Sequence, residues 1–295
     1  MSTISGKSKI RPSFFKFRDI NLAYYEISAK RKAKKDPVLF FHANGYTAMT
    51  YFPLFQNLTE AGYPVYALDF MGHGNSDSTY EFRDWYFFRD QILAFLDHLS
   101  FPSALGAGHS IGGASLLMAA SGDSGGRLKK LAVLDPTVLT PFLSQFLHFY
   151  PNPLARLADK RRSVFKNLEI VKRSFRMMSG YKRWNEDSFD LYLKTAFRKR
   201  EDGQFELCLS PDLEAKIFRS LKPGHWESYR KVKNPMLILS ASKSDVTPPA
   251  ACRKLLKFNR LSKSFKHDDG SHFFPMEDPQ WSSSHMIHFF DNISN

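Results

Sequence analysis

Short apolar runs alternate along the chain with longer amphipathic stretches. The apolar runs lie at residues 37–41, 64–68, 104–107, 131–134 and 235–239, and helix-like stretches lie near 49–60, 82–99 and 279–290. Each apolar run ends in a polar or glycine-rich turn, as expected where a buried strand leaves a sheet. Repeated strand-then-helix units predict a parallel sheet with helices on both faces. In such sheets ligands bind beyond the carboxyl ends of the strands.

Two segments depart from this rhythm. Residues 13–27 alternate apolar and polar side chains and predict an antiparallel hairpin at the edge of the sheet. Residues 139–233 are charged and aromatic, with helix-like spacing and few strand signals, so we expect an inserted helical cap. The predicted organisation is a core of residues 1–138 and 234–295, interrupted by a cap of residues 139–233.

Composition narrows the class of protein. With 295 residues, of which 43% are apolar, the chain can bury a large core. Its first residues are polar and basic rather than an apolar signal core, and no run of about 18 apolar residues follows, so we expect a cytoplasmic protein. Cys208 and Cys252 match no metal-binding spacing and are expected to be free thiols. No metal and no nucleotide cofactor is expected, because the glycines at 106–108 complete neither a P-loop nor a dinucleotide motif.

The net charge of +13 is concentrated in two segments. Residues 1–35 hold ten basic against two acidic residues, and residues 139–233 hold twenty against eleven. This excess predicts a solvated basic surface, and attraction to anionic substrates or transient contact with an anionic membrane surface stays open. Nucleic acid is not an expected partner, because we find no helix-turn-helix pattern, RNP motif or zinc-finger spacing.

Residues 108–112 read Gly-His-Ser-Ile-Gly and precede the small, apolar run 114–120. The pattern predicts a sharp turn from strand to helix, on which Ser110 is strained and its hydroxyl exposed. Side chains two positions before and after the serine would collide with neighbouring backbone, and glycine at both positions removes the collision. The start of a helix also offers free backbone N–H groups to an oxyanion. These features predict a nucleophilic serine.

A serine hydroxyl needs a base within reach and a third group that orients the base. Asp245 follows the apolar strand at 235–239, and His272 lies in a later loop of small residues. We predict that these two side chains complete a triad with Ser110. The alternatives that stay open are Asp135, Asp268 and Asp269 in place of Asp245, and His267 in place of His272. Three further histidines are expected to make loop and turn hydrogen bonds rather than to bind a metal, namely His42, His73 and His109.

The order Ser110, Asp245, His272 along the chain resembles that of the α/β-hydrolase fold superfamily, in its serine esterase- and lipase-like branch with a helical cap. The resemblance covers residues 12–290 and is carried by His42–Gly45, Asp69 with Gly72–Ser76, Gly108–Gly112 and the loops with Asp245 and His272. It implies a mostly parallel eight-stranded sheet flanked by helices, with the cap inserted. It also implies that Ser110 is the nucleophile, His272 the base and Asp245 the orienting carboxylate.

The resemblance places the oxyanion hole at the backbone N–H groups of Ile111 and Asn44. Proteins of this fold often have glycine where this chain has Ala43. Ala43 and Gly45 therefore stay open as donors in place of Asn44. Losing one such donor costs about 3 to 4 kcal/mol of transition-state stabilisation, so the choice matters.

The reactions known on this fold differ in the residue that serves as nucleophile. Epoxide hydrolases and haloalkane dehalogenases use an aspartate where this chain has Ser110, so we do not expect their activities. A serine favours acyl transfer, and we predict hydrolysis of carboxylic esters through an acyl-enzyme. Aromatic residues of the predicted cap, with its basic excess, would suit a small-molecule or lipid-like ester with an apolar acyl group. C–C bond hydrolysis, another reaction of the same triad and non-catalytic ligand binding stay open as alternatives.

Overall fold

A computed structural model describes residues 10–30, 35–140, 142, 145, 152–222, 224–244 and 246–292. An eight-stranded sheet forms its centre, in the order β1-β2-β4-β3-β5-β6-β10-β11. The strands of this sheet are β1 (Ser13–Phe17), β2 (Ile20–Ile27), β3 (Val38–Phe41), β4 (Val65–Leu68), β5 (Ala104–His109), β6 (Leu128–Leu134), β10 (Met236–Lys243) and β11 (Lys263–Ser271). The pairs from β4 to β11 are parallel, whereas β1, β2 and β4 pair antiparallel. The predicted edge hairpin and mostly parallel sheet are confirmed.

Helices cover both faces of this sheet. They are α1 (Phe52–Glu60), preceded by a 3₁₀ turn (Ala48–Tyr51), α2 (Tyr86–Leu99), α3 (Ile111–Gly122), α9 (Pro249–Phe258), α10 (Phe274–Glu277) and α11 (Pro279–Asp291). Every residue of β3 and β5 is buried, because helices pack on each side of these strands. The apolar side chains fall into two large clusters, one on each face of the sheet.

The segment between β6 and β10 has its own small architecture. Its described helices are α4 (Pro153–Asp159), α5 (Leu168–Arg176), α6 (Glu186–Thr195), α7 (Pro211–Arg219) and α8 (Trp226–Tyr229). A three-stranded antiparallel sheet accompanies them, with β7 (Val164–Phe165), β8 (Phe197–Lys199) and β9 (Phe205–Leu207). Because β6 and β10 are neighbours in the main sheet, this segment, hereafter the insertion (residues 139–233), leaves and re-enters the sheet between adjacent strands. The sequence pattern predicts the helices of this segment but not its short strands.

Polar caps explain where the helices of the insertion begin. The side chain of Asn167 accepts the N–H of Ile170 at the start of α5, and Asn185 and Ser210 cap α6 and α7 in the same way. Such caps satisfy backbone donors that have no partner within the helix. Among the described residues no helix is long and apolar enough to cross a membrane.

Candidate active site

Ser110 stands between the last residue of β5 and the first residue of α3. Its backbone has φ 56° and ψ −120°, a positive φ that L-residues rarely adopt. The N–H of Ser110 donates to the carbonyl of Leu134 at 3.0 Å, which ties the turn to the end of β6. The side chain is partly exposed although its neighbours in sequence are buried. The strained, accessible serine turn that the sequence predicts is therefore present.

The two flanking glycines are required by close backbone approaches. A Cβ atom on Gly112 would lie 2.2 Å from the carbonyl oxygen of Phe41 and 2.6 Å from that of His42. A Cβ atom on Gly108 would lie 2.7 Å from the carbonyl carbon of Gly112. Real Cβ atoms do not come this close to backbone, so the first turn of α3 can rest against the end of β3 only with glycine at these positions.

His272 lies in the loop after β11, and its imidazole is paired with a buried carboxylate. His272 Nδ1 is 2.7 Å from Asp135 Oδ2, and the side chain of Asp135 is only 1% exposed. Asp135 directly follows β6, the strand beside β5. The His272 side chain itself is 19% exposed. Among the described residues its other ring nitrogen, Nε2, has no hydrogen-bond partner and is free to take a proton.

The carboxylate beside His272 is thus Asp135, one of the alternatives that the sequence leaves open in place of Asp245. Asp245 itself lies outside the described residues. The loop that carries it still reaches the site, because the hydroxyl of the preceding Ser244 donates to Asp135 Oδ2. Both β6 and β10 end at this edge of the sheet. An aspartate directly after either strand therefore lies where the sequence pattern predicts the acid of a triad.

The other candidates for the acid and the base make contacts of their own. His267 Nε2 lies 3.4 Å from Asp278 Oδ2, and its ring packs on Trp281. Asp269 forms ion pairs with Arg183 and Lys243. His267 and Asp269 thus have partners other than the proposed triad residues, whereas His272 is the candidate imidazole that pairs with Asp135.

Thr137 joins the loop of Asp135 to the serine. Its N–H donates to the carbonyl of Ser110 at 3.1 Å, and its hydroxyl lies 3.1 Å from Ser110 Oγ. Among the described residues Ser110 Oγ has this hydrogen bond and none with the imidazole of His272. Catalytic hydrogen bonds are often long in unliganded enzymes and tighten when substrate binds. Attack would require the serine hydroxyl to exchange Thr137 for His272 Nε2.

The candidate oxyanion donors differ in whether their backbone N–H groups already donate a hydrogen bond. The N–H of Ala43 donates to the hydroxyl of Tyr51 at 3.2 Å, and the N–H of Gly45 donates to His73 Nε2 at 3.0 Å. Among the described residues the N–H groups of Asn44 and Ile111 have no acceptor. The free amides are therefore those that the resemblance implied, and the two alternatives are occupied.

Two buried histidines shape the loop that carries Asn44. His42 Nε2 accepts the N–H of Phe70 at 2.9 Å, while His73 Nε2 accepts that of Gly45. Burial holds the pKa of His42 well below its usual value and lowers that of His73 to about 4. Both imidazoles are therefore neutral at pH 7 and can accept an N–H. The prediction that they make loop hydrogen bonds is confirmed.

Asp69 organises the neighbouring turn from inside the fold. Its carboxylate accepts the N–H of Ala48 at 2.7 Å, the N–H of Asn75 at 3.2 Å and the hydroxyl of Tyr25 at 3.3 Å. Burial raises the pKa of Asp69 to about 6, and the N–H groups of Ala48 and Asn75 oppose that rise. The carboxylate thus holds together the 3₁₀ turn before α1, strand β2 and the Gly-His-Gly turn after β4.

Two clefts open at the loops that carry Gly45 and Thr137. One, of about 220 Å³, is lined by residues of the core and of the insertion, among them Gly45, Thr47, His73, Arg161 and Cys208. The other, of about 230 Å³, begins at Thr137 and is lined further by Leu139, Leu221, Lys222, His225 and Trp226. The insertion therefore contributes walls to both clefts, and Thr137 links the second cleft to Ser110. In the part of the chain that the structure describes, no group of three His, Cys, Asp or Glu side chains could hold a metal ion.

The insertion also rests on the loop of Asn44 through a buried ion pair. Arg161 Nη1 lies 3.0 Å and 3.1 Å from the two carboxylate oxygens of Glu214. The backbone carbonyl of Glu214 accepts the side-chain amide of Asn44 at 3.5 Å. A Cβ atom on Gly45 would lie 2.9 Å from Glu214 Oε1, so α7 packs directly on this loop.

Comparison with known proteins agrees with this geometry. The sequence model of the alpha/beta hydrolase family matches residues 38–282. The chain belongs to the α/β hydrolase family. Among curated proteins, this α/β hydrolase is 23% identical to 2-(acetamidomethylene)succinate hydrolase of Mesorhizobium japonicum over 249 residues, which cover 83% of this chain and 84% of that protein.

Solved structures show the same fold. The crystal structure of E-2-(acetamidomethylene)succinate hydrolase superposes with a TM-score of 0.82 at 19% identity, covering 96% of this α/β hydrolase and 100% of that chain. The thioesterase domain from the curacin biosynthetic pathway gives a TM-score of 0.74 at 16% identity, covering 95% and 100% of the two chains. At these identities the likeness establishes the fold of the α/β hydrolase, and its chemistry has to be argued from its own residues.

Three residues of the site carry no motif of their own in the sequence. Thr137, Ser244 and Tyr51 are an ordinary threonine, serine and tyrosine in loops or helix starts, and each reaches the site through a contact more than 25 residues away along the chain. Thr137 had one usable signal, since it stands two residues after an aspartate at a strand end.

Proposed function

We propose that this α/β hydrolase is a serine hydrolase that cleaves carboxylic esters through an acyl-enzyme. The observation that carries the proposal is the pairing of His272 Nδ1 with buried Asp135, which leaves Nε2 open beside the strained turn of Ser110. In a serine triad the carboxylate fixes the imidazole tautomer and stabilises its cation. A neutral His272 with its proton on Nδ1 donates to Asp135 and can act as a base through Nε2.

The reaction then follows in two balanced halves. Ser110 Oγ attacks the ester carbonyl carbon as its proton passes to His272 Nε2, and a tetrahedral oxyanion forms. The oxyanion collapses, the C–O bond to the leaving group breaks, and the imidazolium returns the proton to the departing alkoxide. Water repeats the sequence on the acyl-enzyme: it gives a proton to His272, attacks the carbonyl and releases the acid as Ser110 regains its proton.

The free N–H groups of Asn44 and Ile111 are the proposed oxyanion donors. Ile111 is the first residue of α3, where the N–H groups lack helical partners and the helix dipole is positive. Asn44 lies in the loop after β3, which the glycine at 112 allows to approach the first turn of α3. Donors fixed in this way stabilise the developing charge without reorganisation during the reaction.

The insertion is proposed to act as the substrate cap, with boundaries at residues 139–233. Arg161 from the insertion lines the first cleft, and Leu221 and Trp226 line the second, which begins at Thr137. We expect this cap to admit an apolar or lipid-like acyl group, and the chain-length assay below tests that expectation.

Amide hydrolysis is the second candidate, and a specific observation favours testing it. The name 2-(acetamidomethylene)succinate hydrolase describes a compound with an acetamido group and two carboxylates. Here Lys222 brings a positive charge to the cleft that begins at Thr137. The same triad can cleave an amide if the leaving nitrogen is protonated by the imidazolium.

A fluorophosphonate probe tests the enzyme class directly. We expect the purified protein to be labelled on Ser110 and the Ser110→Ala variant to remain unlabelled. Hydrolysis of p-nitrophenyl acetate, hexanoate and palmitate should give a higher kcat/KM for hexanoate or palmitate than for acetate, and a flat or acetate-only profile would remove the lipid-like acyl group. p-Nitroacetanilide, which shares the acetyl group, separates amidase from esterase. Absence of both labelling and hydrolysis would overturn the proposal and favour a ligand-binding role.

A further inference from the structure

His109, the residue before the proposed nucleophile, is completely buried and is used at both ring nitrogens. Its Nε2 lies 2.9 Å from the backbone carbonyl of His272, and its Nδ1 lies 2.6 Å from the hydroxyl of Tyr51. Its ring stands 4.7 Å from that of His272, centroid to centroid. The proton-transfer steps above assign His109 no part, although it touches the proposed base.

The partners of His109 determine where its proton is. A backbone carbonyl can only accept, so Nε2 carries the hydrogen and donates to His272. In a neutral imidazole the other nitrogen, Nδ1, is then a bare acceptor, and the hydroxyl of Tyr51 must donate to it. Burial, together with the nearby His272, holds the pKa of His109 well below its usual value, which agrees with a neutral ring.

The hydroxyl of Tyr51 extends the chain to the loop of Asn44. With its hydrogen directed at His109, its oxygen accepts the N–H of Ala43 at 3.2 Å. Tyr51 is fully buried, and burial raises the pKa of its hydroxyl, so this group stays protonated. The four groups therefore form one directed series: Ala43 N–H to Tyr51 oxygen, Tyr51 O–H to His109 Nδ1, and His109 Nε2–H to the His272 carbonyl.

The series joins two loops that the sheet holds apart. Ala43 precedes Asn44 in the loop after β3, whereas His272 follows β11, and strands β5, β6 and β10 lie between them. We propose that His109 and Tyr51 are positioning residues that hold the loop of the oxyanion donor Asn44 and the loop of the base His272 in one fixed arrangement around Ser110. This inference rests on the proposed function, because it assigns the two side chains to the serine reaction. They touch loop backbone rather than substrate.

Removing one link is expected to lower kcat more than it changes KM. Tyr51→Phe leaves Ala43 N–H and His109 Nδ1 without a partner, and His109→Leu releases the His272 carbonyl. Because misplacement of catalytic groups by about 1 Å can cost on the order of 100-fold, we expect kcat for p-nitrophenyl acetate to fall about 10- to 100-fold. His109→Gln, whose amide can both donate and accept, should recover part of the loss. If the residues act as one unit, the double variant Tyr51→Phe/His109→Leu should have a kcat only slightly below that of the less active single variant.

The matched control is Tyr63→Phe. Tyr63 is 3% exposed, and its hydroxyl lies 2.6 Å from Asp291 Oδ1, but it precedes β4 at the amino ends of the strands. Its loss removes a part-buried hydrogen bond from a tyrosine hydroxyl to another side chain without touching either loop, so kcat should stay near that of the parent protein. Equal losses of kcat in Tyr51→Phe and Tyr63→Phe, or a kcat within twofold of the parent in both Tyr51→Phe and His109→Leu, would overturn the positioning role.

A measurement without substrate keeps the inference testable if a variant folds poorly or the ester assay fails. Long-range ¹H–¹⁵N NMR of the histidine rings should show His109 with its proton on Nε2, and Tyr51→Phe should shift the ring signals of His272. An Nδ1-protonated His109 would overturn the inference even in an active enzyme. The protein could show the expected tautomer and shift and yet neither bind the fluorophosphonate nor cleave esters. That result would support the hydrogen-bond network and contradict only the proposed function.

Discussion

His272 Nδ1 lies 2.7 Å from Asp135 Oδ2, and this carboxylate is almost entirely shielded from solvent. The hydroxyl of Ser244 reaches the same oxygen from the end of β10, while Asp135 Oδ1 is buried and has no hydrogen-bond partner among the described residues. A buried carboxylate costs free energy unless it is paired, so Asp135 gains most from the imidazole that it orients. This pair favours Asp135 as the acid of the proposed triad.

Exchange of the two candidate acids should therefore have unequal effects. Asp135→Asn retains the shape but removes the charge and allows the wrong imidazole tautomer, so we expect kcat for a short p-nitrophenyl ester to fall on the order of 1,000- to 10,000-fold. Asp245→Asn should change kcat by less than about threefold. Steady-state kinetics of the two variants, with fluorophosphonate labelling rates, measure the difference. The reverse ranking would return the acid role to Asp245.

Ser244 should contribute to the same step at a smaller scale. Its hydroxyl donates to Asp135 Oδ2 and accepts the N–H of Val246 at 3.2 Å. Hydrogen bonds to charged groups contribute about 1.5 to 3 kcal/mol, so Ser244→Ala is expected to lower kcat by roughly 10-fold or somewhat more, with little change in KM. Ser242→Ala is the matched control, because that hydroxyl, two residues earlier, donates to the carbonyl of Asp268 instead. Equal kinetics of the two variants would show that Ser244 does not support Asp135.

The serine turn and the parallel sheet could be predicted because their signals are local. The steric demand at Gly108 and Gly112 comes from backbone only a few residues or one strand away, and it appears in the sequence as glycine. Strand β5 has few β-branched residues, yet its position before the serine turn identified it. Helix α2 begins at Tyr86 rather than near residue 82, and helix boundaries are the least reliable part of such predictions.

The choice of acid could not be made from the sequence, because it depends on lateral order in the sheet. Asp135 and Asp245 each follow an apolar strand, and no local pattern states that β6 lies directly beside the strand of Ser110. The contacts of Tyr51 and Thr137 depend equally on long-range packing. The short strands of the insertion were missed because three-residue strands such as Phe197–Lys199 are too brief to show alternation.

Acid should lower the free energy of unfolding through the protonation of buried histidines. A substitution at His225 tests the contribution of one of them. Burial lowers the pKa of His225 to about 4, whereas an unfolded histidine titrates near 6.5. Between these values the unfolded state binds a proton that the folded state does not, so the free energy of unfolding falls as the pH falls from about 6.5 to about 4. In the part of the chain that the structure describes, His225 Nε2 has no hydrogen-bond partner, so His225→Phe removes the titration without breaking a described bond there.

Urea unfolding at pH 7 and pH 5 measures this contribution. From pH 7 to pH 5 the parent protein should lose about 2 kcal/mol more than His225→Phe, since 1.5 pH units below 6.5 correspond to about 2 kcal/mol for one proton. His288→Gln, at an exposed histidine on α11, should keep the loss of the parent. An identical loss in the parent and in His225→Phe would contradict a neutral, buried His225.

Gly112→Ala should damage both the fold and the reactivity of Ser110. The added methyl would lie 2.2 Å from the carbonyl oxygen of Phe41 and 2.6 Å from that of His42, both backbone atoms that cannot turn away as a side chain would. Overpacking of this kind costs about 1 to 3 kcal/mol, and occasionally more. Displacement of His42 would also carry the loop of Asn44 away from the serine, so fluorophosphonate labelling should slow beyond what the loss of stability explains.

Gly122→Ala provides the control on the same helix. Gly122 is the last residue of α3, its nearest neighbour to an added methyl is Leu93 Cδ1 at 3.8 Å, and alanine is favoured over glycine in a helix by up to about 1 kcal/mol. This variant should be as stable as the parent or slightly more stable and should be labelled at the parental rate. A Gly112→Ala protein that matches Gly122→Ala in urea midpoint and labelling rate would show that the close approach of α3 to β3 is not needed for the site.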